Sequence, residues 1–200
     1  ARDNVHMTRA EAVIDLAAVR SNLTVIEAAV AGSQVMAVVK ADAYGHGMAR
    51  IAQEARSIGI PWLGVALLSE ARALRQSGDT GRLLAWLWAP GDPDLESCLA
   101  SDVDISVSSL WALAEVAEHA QRVGVRARVH LKVDTGLSRN GASVDDWAGL
   151  VSAAREAQDA GAIEVIGVWS HLANADLPGD SSVDDQRAQF EAASAVAIDA

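Results

Sequence analysis

The amino-acid sequence predicts an α/β fold built on a parallel sheet, and three observations carry that prediction. Short, often β-branched apolar runs alternate along the chain with longer alanine-rich amphipathic stretches. Most of the runs are continuously apolar, as in strands buried on both faces. The stretches between them are long enough for the crossover helix that parallel neighbours require.

Each element follows in order. Residues 11–16 read as a short strand of mixed polarity, peripheral to the core, and a helix follows from about residue 17 to residue 31. The first core strand is 35–39, followed by a helix over 48–59. The second strand is 62–66. The next helix covers 69–77, with Ser69 as N-cap and Gly78 as its stop. The third strand is 83–87, followed by a short helix over 94–100. The fourth is 103–107, followed by a helix from Ser109 that stops at Gly124. The fifth is 128–133, followed by a helix from Ser143 that stops at Gly161. The sixth is 165–169, and residues from Ser182 onward are helical. This spacing suits either a (β/α)8 barrel or a doubly wound open sheet. No Gly-x-Gly-x-x-Gly or Walker loop follows the first strand, which lowers the nucleotide-binding open sheet. A barrel needs eight units and roughly 250 residues. About six units are visible here, which points to an incomplete barrel over 11–200.

Composition narrows the function. The 200 residues carry a formal charge of −11 and are 50% hydrophobic. That balance speaks against nucleic acid or an anionic membrane as partner, since both need a basic face, and it favours a cytoplasmic protein. A single cysteine, Cys98, excludes an internal disulfide framework and reads as a small buried apolar residue. No metal site with zinc spacing is visible. Residues 1–10 are expected to be a disordered lead-in or one introduced by cloning.

In parallel barrels the chemistry gathers at the C-terminal ends of the strands, and the polar residues cluster there unevenly. Lys40 directly follows five apolar residues, so its amine is expected to be desolvated, neutral and nucleophilic toward a carbonyl. The rival reading, a strand-end lysine paired with a carboxylate such as Asp134, is equally supported by position. The glycine-rich Tyr44-Gly45-His46-Gly47 loop could take an anion at a helix start, though a plain βα turn explains it better. The segment from Lys132 to Gly141 puts Lys132, Asp134 and Arg139 at one strand end, and Arg139 has a fork suited to phenolate, carboxylate or phosphate. His171 follows the sixth strand, where a lone histidine is more often structural than catalytic.

The run Ala37-Val38-Val39-Lys40-Ala41-Asp42-Ala43-Tyr44-Gly45-His46-Gly47 resembles the cofactor-lysine motif of alanine racemases over its full length. The segments Lys132 to Gly141 and Ser170-His171-Leu172-Ala173-Asn174-Ala175-Asp176 agree in order and spacing, and Ala12-Val13-Ile14-Asp15-Leu16 resembles the family's first strand. The resemblance implies a TIM-type (β/α)8 barrel, with a C-terminal β domain beyond Ala200, and a homodimer. It implies pyridoxal 5'-phosphate as cofactor, bound covalently by Lys40, which also serves as a catalytic base or acid. It implies that Tyr44 lies near the phosphate, that Val38 and Trp86 pack against the pyridine ring, and that His171 stands beside the cofactor. Arg139 would hold the phenolic oxygen and the substrate carboxylate, and Lys132 would be carbamylated and orient Arg139. The implied activity is interconversion of L- and D-alanine for peptidoglycan. The alternatives are a relative acting on another amino acid, such as a serine or broad-specificity racemase, a dehydratase or an aldolase, and a non-catalytic cofactor-binding barrel. The resemblance also implies a second catalytic base, a tyrosine of the partner subunit's second domain; the chain's one tyrosine, Tyr44, matches the first motif and not that base.

Overall fold

The computed structural model describes residues 10–30, 32–177 and 179–199. Six parallel strands, β1 (Met36–Val38), β2 (Trp62–Leu67), β3 (Arg82–Leu87), β4 (Asp104–Val107), β5 (Ala127–Lys132) and β6 (Ile163–Trp169), lie side by side in chain order. A doubly wound open sheet reverses its strand order at a switch point. A sheet that never reverses is the wall of a barrel, and this resolves the choice the periodicity left open.

The helices are α1 (Leu16–Ala29), the single turn α2 (Lys40–Gly45), α3 (Met48–Ser57), α4 (Leu68–Gln76), α5 (Leu95–Ala100), α6 (Leu110–Val123), α7 (Val144–Asp159) and α8 (Ser181–Asp199). Two predicted caps form as expected. Ser109 accepts from the Ala112 amide at 3.4 Å, and Ser143 from the Asp146 amide at 3.1 Å. Gly124 closes α6 in the left-handed region, at φ 73°.

Two local expectations are corrected. Residues 11–15 form no strand; instead the Asp15 carboxylate accepts from the amides of Ala17 and Ala18, at 2.8 and 3.1 Å, and starts α1. Helix α4 begins at Leu68, so Ser69 lies inside its first turn. The cap is supplied by Glu70, whose Oε2 accepts from the amides of Ala66 and Leu67, both at 3.0 Å. Of the expected lead-in over 1–10, all but Ala10 lies outside the described residues.

Strand geometry sorts the side chains with period two. Odd-numbered residues of β1 to β5, among them Ala37, Leu63, Val65, Leu83, Ala85, Ile105, Val107, Val129 and Leu131, are buried in one core with Leu68 and Leu74 of α4, Leu95 and Cys98 of α5, and Leu113 and Val116 of α6. Even-numbered residues face the other way, into the arc of the sheet. A register shift between Val129 and His130 sets Gly167 and Trp169 of β6 beside His130 and Lys132, so these two odd residues join the inner face while Ile163 stays in the core.

The inner face is ionic toward the N-terminal strand ends. Asp104, fully buried, accepts from Arg82 Nη2 at 2.6 Å, Arg128 Nε at 2.7 Å and His130 Nε2 at 2.9 Å. Trp62 covers the cluster, its ring 4.4 Å from Arg82 Cζ and edge-on to His130. Burial alone would raise the Asp104 pKa; the hydrogen bonds from His130, Arg128 and Arg82 outweigh it and hold the carboxyl below its ordinary value.

Candidate active site

The chain has two lysines, Lys40 and Lys132, and the fold brings both to the C-terminal ends of strands. Lys40 stands two residues beyond the end of β1 and is only partly buried. The expectation of full desolvation is therefore not met: the strand stops at Val38, and the chain turns out of the sheet before the lysine. The turn is unusual. Ala41, Asp42, Ala43 and Tyr44 have φ of 51 to 54° and ψ of 39 to 48°, one turn of left-handed helix made without glycine. Each such residue costs roughly 1–2 kcal/mol, so the surroundings must hold it. Asp42 Oδ1 accepts from the Met48 amide at 2.7 Å, tying the turn to the start of α3. Glu70 Oε1 accepts from the Ala41 amide at 2.6 Å. The turn brings Tyr44 back toward Lys40, with Nζ 5.7 Å from the ring centroid.

Lys132, the last residue of β5, is 2% exposed and its Nζ stands 4.5 Å over the Trp169 ring. Burial, then the nearby Arg139 guanidinium, push its pKa down from 10.5 to about 8, with Asp134 opposing. Trp169 is fixed by its Nε1, which donates to Ser106 Oγ at 2.9 Å, and Trp88 Nε1 donates to the Ser106 carbonyl at 3.0 Å.

Arg139 rides on a loop pinned at its base. The Ala142 amide donates to the Lys132 carbonyl and the Asp134 amide to the Ala142 carbonyl, both at 2.9 Å. Gly141 makes this closure possible: at φ 142°, a Cβ there would lie 2.5 Å from the Asp134 nitrogen. Inside the loop, Asp134 Oδ1 accepts from the Gly136 and Ser138 amides, both at 3.0 Å. At the tip, Arg139 Nη2 lies 2.9 Å from His171 Nδ1 and 3.1 Å from Nε2. Arginine can only donate, so His171 accepts as the neutral ring. That agrees with its lowered pKa, caused by burial, then by Arg139, Lys132 and Lys40. The His171 loop is held from behind. Ser170 Oγ donates to the Val133 carbonyl at 2.9 Å, which leaves Thr135 as donor in the 2.7 Å contact between the two hydroxyls. Gln186 of α8, 4% exposed, accepts from the Ala173 amide at 2.8 Å.

Val38, half-exposed, and Trp86 share the inner face, and Trp86 packs edge-on to Trp169 with centroids 5.9 Å apart. Trp86 and Met36 close over Gly64, where an added Cβ would lie 2.9 Å from Trp86 Cζ3 and 2.8 Å from Met36 Sδ.

The family model described as "Alanine racemase, N-terminal domain" matches residues 14–199. The chain belongs to this family. An alanine racemase of Beutenbergia cavernae is 53% identical over 167 residues, covering 84% of this chain and 44% of the relative. One from Frankia casuarinae is 50% identical over 192 residues, covering 96% and 50%. The crystal structure of alanine racemase from D-cycloserine-producing Streptomyces lavendulae superimposes with a TM-score of 0.91 at 47% identity, over 93% of this chain and 48% of that one. The chain thus spans about half the length of the relatives it matches.

Within the racemase barrel, the motif residues Lys40, Tyr44, Lys132, Arg139 and His171 gather at strand ends, with Val38 and Trp86 on the face below. Sequence reasoning missed the parts that hold them. Gln186 and Glu70 are helix residues with no motif around them. The available signal for Glu70 was weak: an acidic residue in the first turn of a helix, where generic dipole compensation is the ordinary explanation.

Proposed function

We propose that this chain is the cofactor-bearing barrel of an alanine racemase, taking pyridoxal 5'-phosphate on Lys40 and interconverting L- and D-alanine. The observation that carries the reading is the placement of cationic groups at strand ends: Lys40 follows β1, Lys132 ends β5, and Arg139 Nη2 lies 2.9 Å from His171 Nδ1 beyond β6. The donor set fits the cofactor. A planar, anionic carbonyl compound needs an amine, cationic donors for its oxygens, and an apolar surface for its ring. Lys40, Arg139, and the Val38 and Trp86 faces offer these. Tyr44 stands near the Lys40 amine for contact with the phosphate.

When bound, pyridoxal phosphate supplies an electron sink for the charge left on the substrate Cα. Lys40 takes or returns the Cα proton on one face. Arg139 holds the substrate carboxylate and the ring's phenolic oxygen with its planar fork, and neutral His171 fixes that guanidinium by accepting from it.

Lys132 is carbamylated on this reading. A pKa of about 8 leaves a sizeable neutral fraction near neutral pH. The ammonium first loses one proton; the neutral amine nitrogen then bonds to the carbon of CO2 and releases a second proton, so a cation beside Arg139 becomes an anion that pairs with it. Inversion at Cα also needs a second proton donor opposite Lys40. We assign it to a tyrosine of a second copy's further domain, so the active species is a homodimer. Its place is the cytoplasm, where D-alanine for peptidoglycan is made.

The test is to treat the full-length protein with pyridoxal phosphate, reduce with borohydride and map the peptides. Reduction locks a lysine–carbonyl linkage as a stable secondary amine. The expected tag is on Lys40. A tag on Lys132 alone, or none in this stretch, refutes the reading.

A further inference from the structure

Glu70 joins two strand ends through one side chain. Its Oε2 accepts from the amides of Ala66 and Leu67 where β2 gives way to α4. Its Oε1 accepts from the Ala41 amide, the first residue of the left-handed turn and the neighbour of Lys40. The first pair is ordinary helix capping. The bond to Ala41 is not, because it reaches 29 residues back along the chain to another strand's loop.

The conformation of that loop makes the bond matter. Four consecutive non-glycine residues hold φ of 51 to 54°, a conformation that persists only where the surroundings over-determine it. The turn also carries backbone bonds of its own, from Ala43 to Val39 and from Gly47 to Asp42. The Asp42 bond to Met48 holds the far end of the turn. At the Lys40 end, the side-chain bond that holds it is the one from Glu70.

We infer that Glu70 is a positioning residue: it locks the left-handed turn from the next strand and so aims the Lys40 amine for cofactor attachment. This rests on the reading that Lys40 carries the cofactor. Glutamine at position 70 has one accepting oxygen and one donating nitrogen. It can cap α4 or hold Ala41, but it cannot do both as the carboxylate does.

The experiment compares the full-length parent with Glu70→Gln and, as a control that weakens α4 elsewhere, Arg72→Ala, which removes the Arg72–Asp94 ion pair. Amide hydrogen exchange is followed in the cofactor-free protein over residues 41–45 and over α4. The rate of Lys40 labelling by pyridoxal phosphate with borohydride is followed across pH. Glu70→Gln is expected to speed exchange over 41–45 by roughly tenfold, the loss of one charge-assisted bond. Exchange in the last turn of α4 stays as in the parent. Lys40 labelling slows by roughly tenfold to a hundredfold, as for a displaced reacting group, with a changed pH profile. Arg72→Ala changes neither the 41–45 exchange nor that profile. Unchanged exchange over 41–45 in Glu70→Gln overturns the inference, as does an unchanged labelling rate and profile. A parent that never labels at Lys40 overturns the proposed function instead, while the exchange measurement still decides the tether.

Discussion

In the absence of CO2 the unmodified Lys132 is a buried amine beside the Arg139 cation, and replacing it with methionine should then make the fold more stable. Depression of its pKa from 10.5 to about 8 corresponds to about 3 kcal/mol of disfavour for the charged form in the folded protein. Lys132→Met removes that cost and keeps an unbranched apolar stem in the same 2%-exposed slot. It forfeits the contact of Nζ over the Trp169 ring at 4.5 Å, about 1–2 kcal/mol for a desolvated pair. The expected net gain is about 1–2 kcal/mol near neutral pH. The sign of the pH dependence follows from which state binds the extra proton. Between about 8 and 10.5 the unfolded chain holds the lysine proton more tightly than the folded one, so the parent's stability rises with pH across that window. Below about 8 the cost is fully present. The advantage of Lys132→Met should therefore be largest below pH 8 and fade as pH climbs toward 10.5. Urea unfolding of the cofactor-free full-length protein, in CO2-free buffer at several pH values, measures this directly. Bicarbonate adds a second axis: carbamylation abolishes the buried cation, so it should stabilise the parent and leave Lys132→Met unmoved. A parent as stable as the variant at neutral pH without CO2, or a difference that does not shrink on alkalinisation, would refute the reasoning.

Two further perturbations probe the scaffold. Asp104→Asn leaves two arginines and His130 around a group that no longer carries charge, and should destabilise by about 3–5 kcal/mol. Because the Asp104 pKa is lowered, its stabilisation is complete above the ordinary 3.8 and lost as pH falls below it. Acid unfolding should therefore move to higher pH values in the variant, as followed by circular dichroism. Gly64→Ala pushes a Cβ against Trp86 Cζ3 and Met36 Sδ, at 2.9 and 2.8 Å. It should cost about 1–3 kcal/mol of stability and weaken cofactor binding, read as the pyridoxal phosphate concentration that half-saturates Lys40 labelling. Unaltered binding would mean that Trp86 does not form the floor of the site.

The alternation of strands and helices was legible because most strands carry short apolar runs and Ser109 and Ser143 stand just ahead of their helices. The barrel topology was not legible in the period, since strand order is a long-range property; the motif resemblance suggested it. Lys40 was placed correctly at a strand end but expected to be too deeply buried. The apolar run 35–39 does not reveal that regular strand stops at Val38. The left-handed turn was invisible for a clear reason. Ala41, Asp42, Ala43 and Tyr44 carry no glycine signature, and the conformation is imposed by the carboxylates of Asp42 and Glu70. The register shift that turns Trp169 toward Lys132 is likewise a matter of pairing between β5 and β6, with no local mark in either segment.

The two ends of the strands use charge in opposite ways, and that contrast locates the chemistry. Toward the N-terminal ends, Arg82, Arg128 and His130 converge on the buried Asp104, and Asp102 accepts from Arg128 as well. Each of these three side chains has the Asp104 carboxylate within hydrogen-bonding distance. At the C-terminal ends the acids are already committed. Asp134 spends Oδ1 on two backbone amides that shape its own loop, Asp42 caps α3, and Glu70 holds Ala41, Ala66 and Leu67. Beside them, burial and then the neighbouring cations lower the proton affinity of Lys132 and His171. A fold that pairs its buried charges at one end of the sheet and concentrates cations at the other is consistent with the proposed anionic cofactor at the second. On the proposed function, Lys40, the lysine nearest the left-handed turn, is the group that reacts with it.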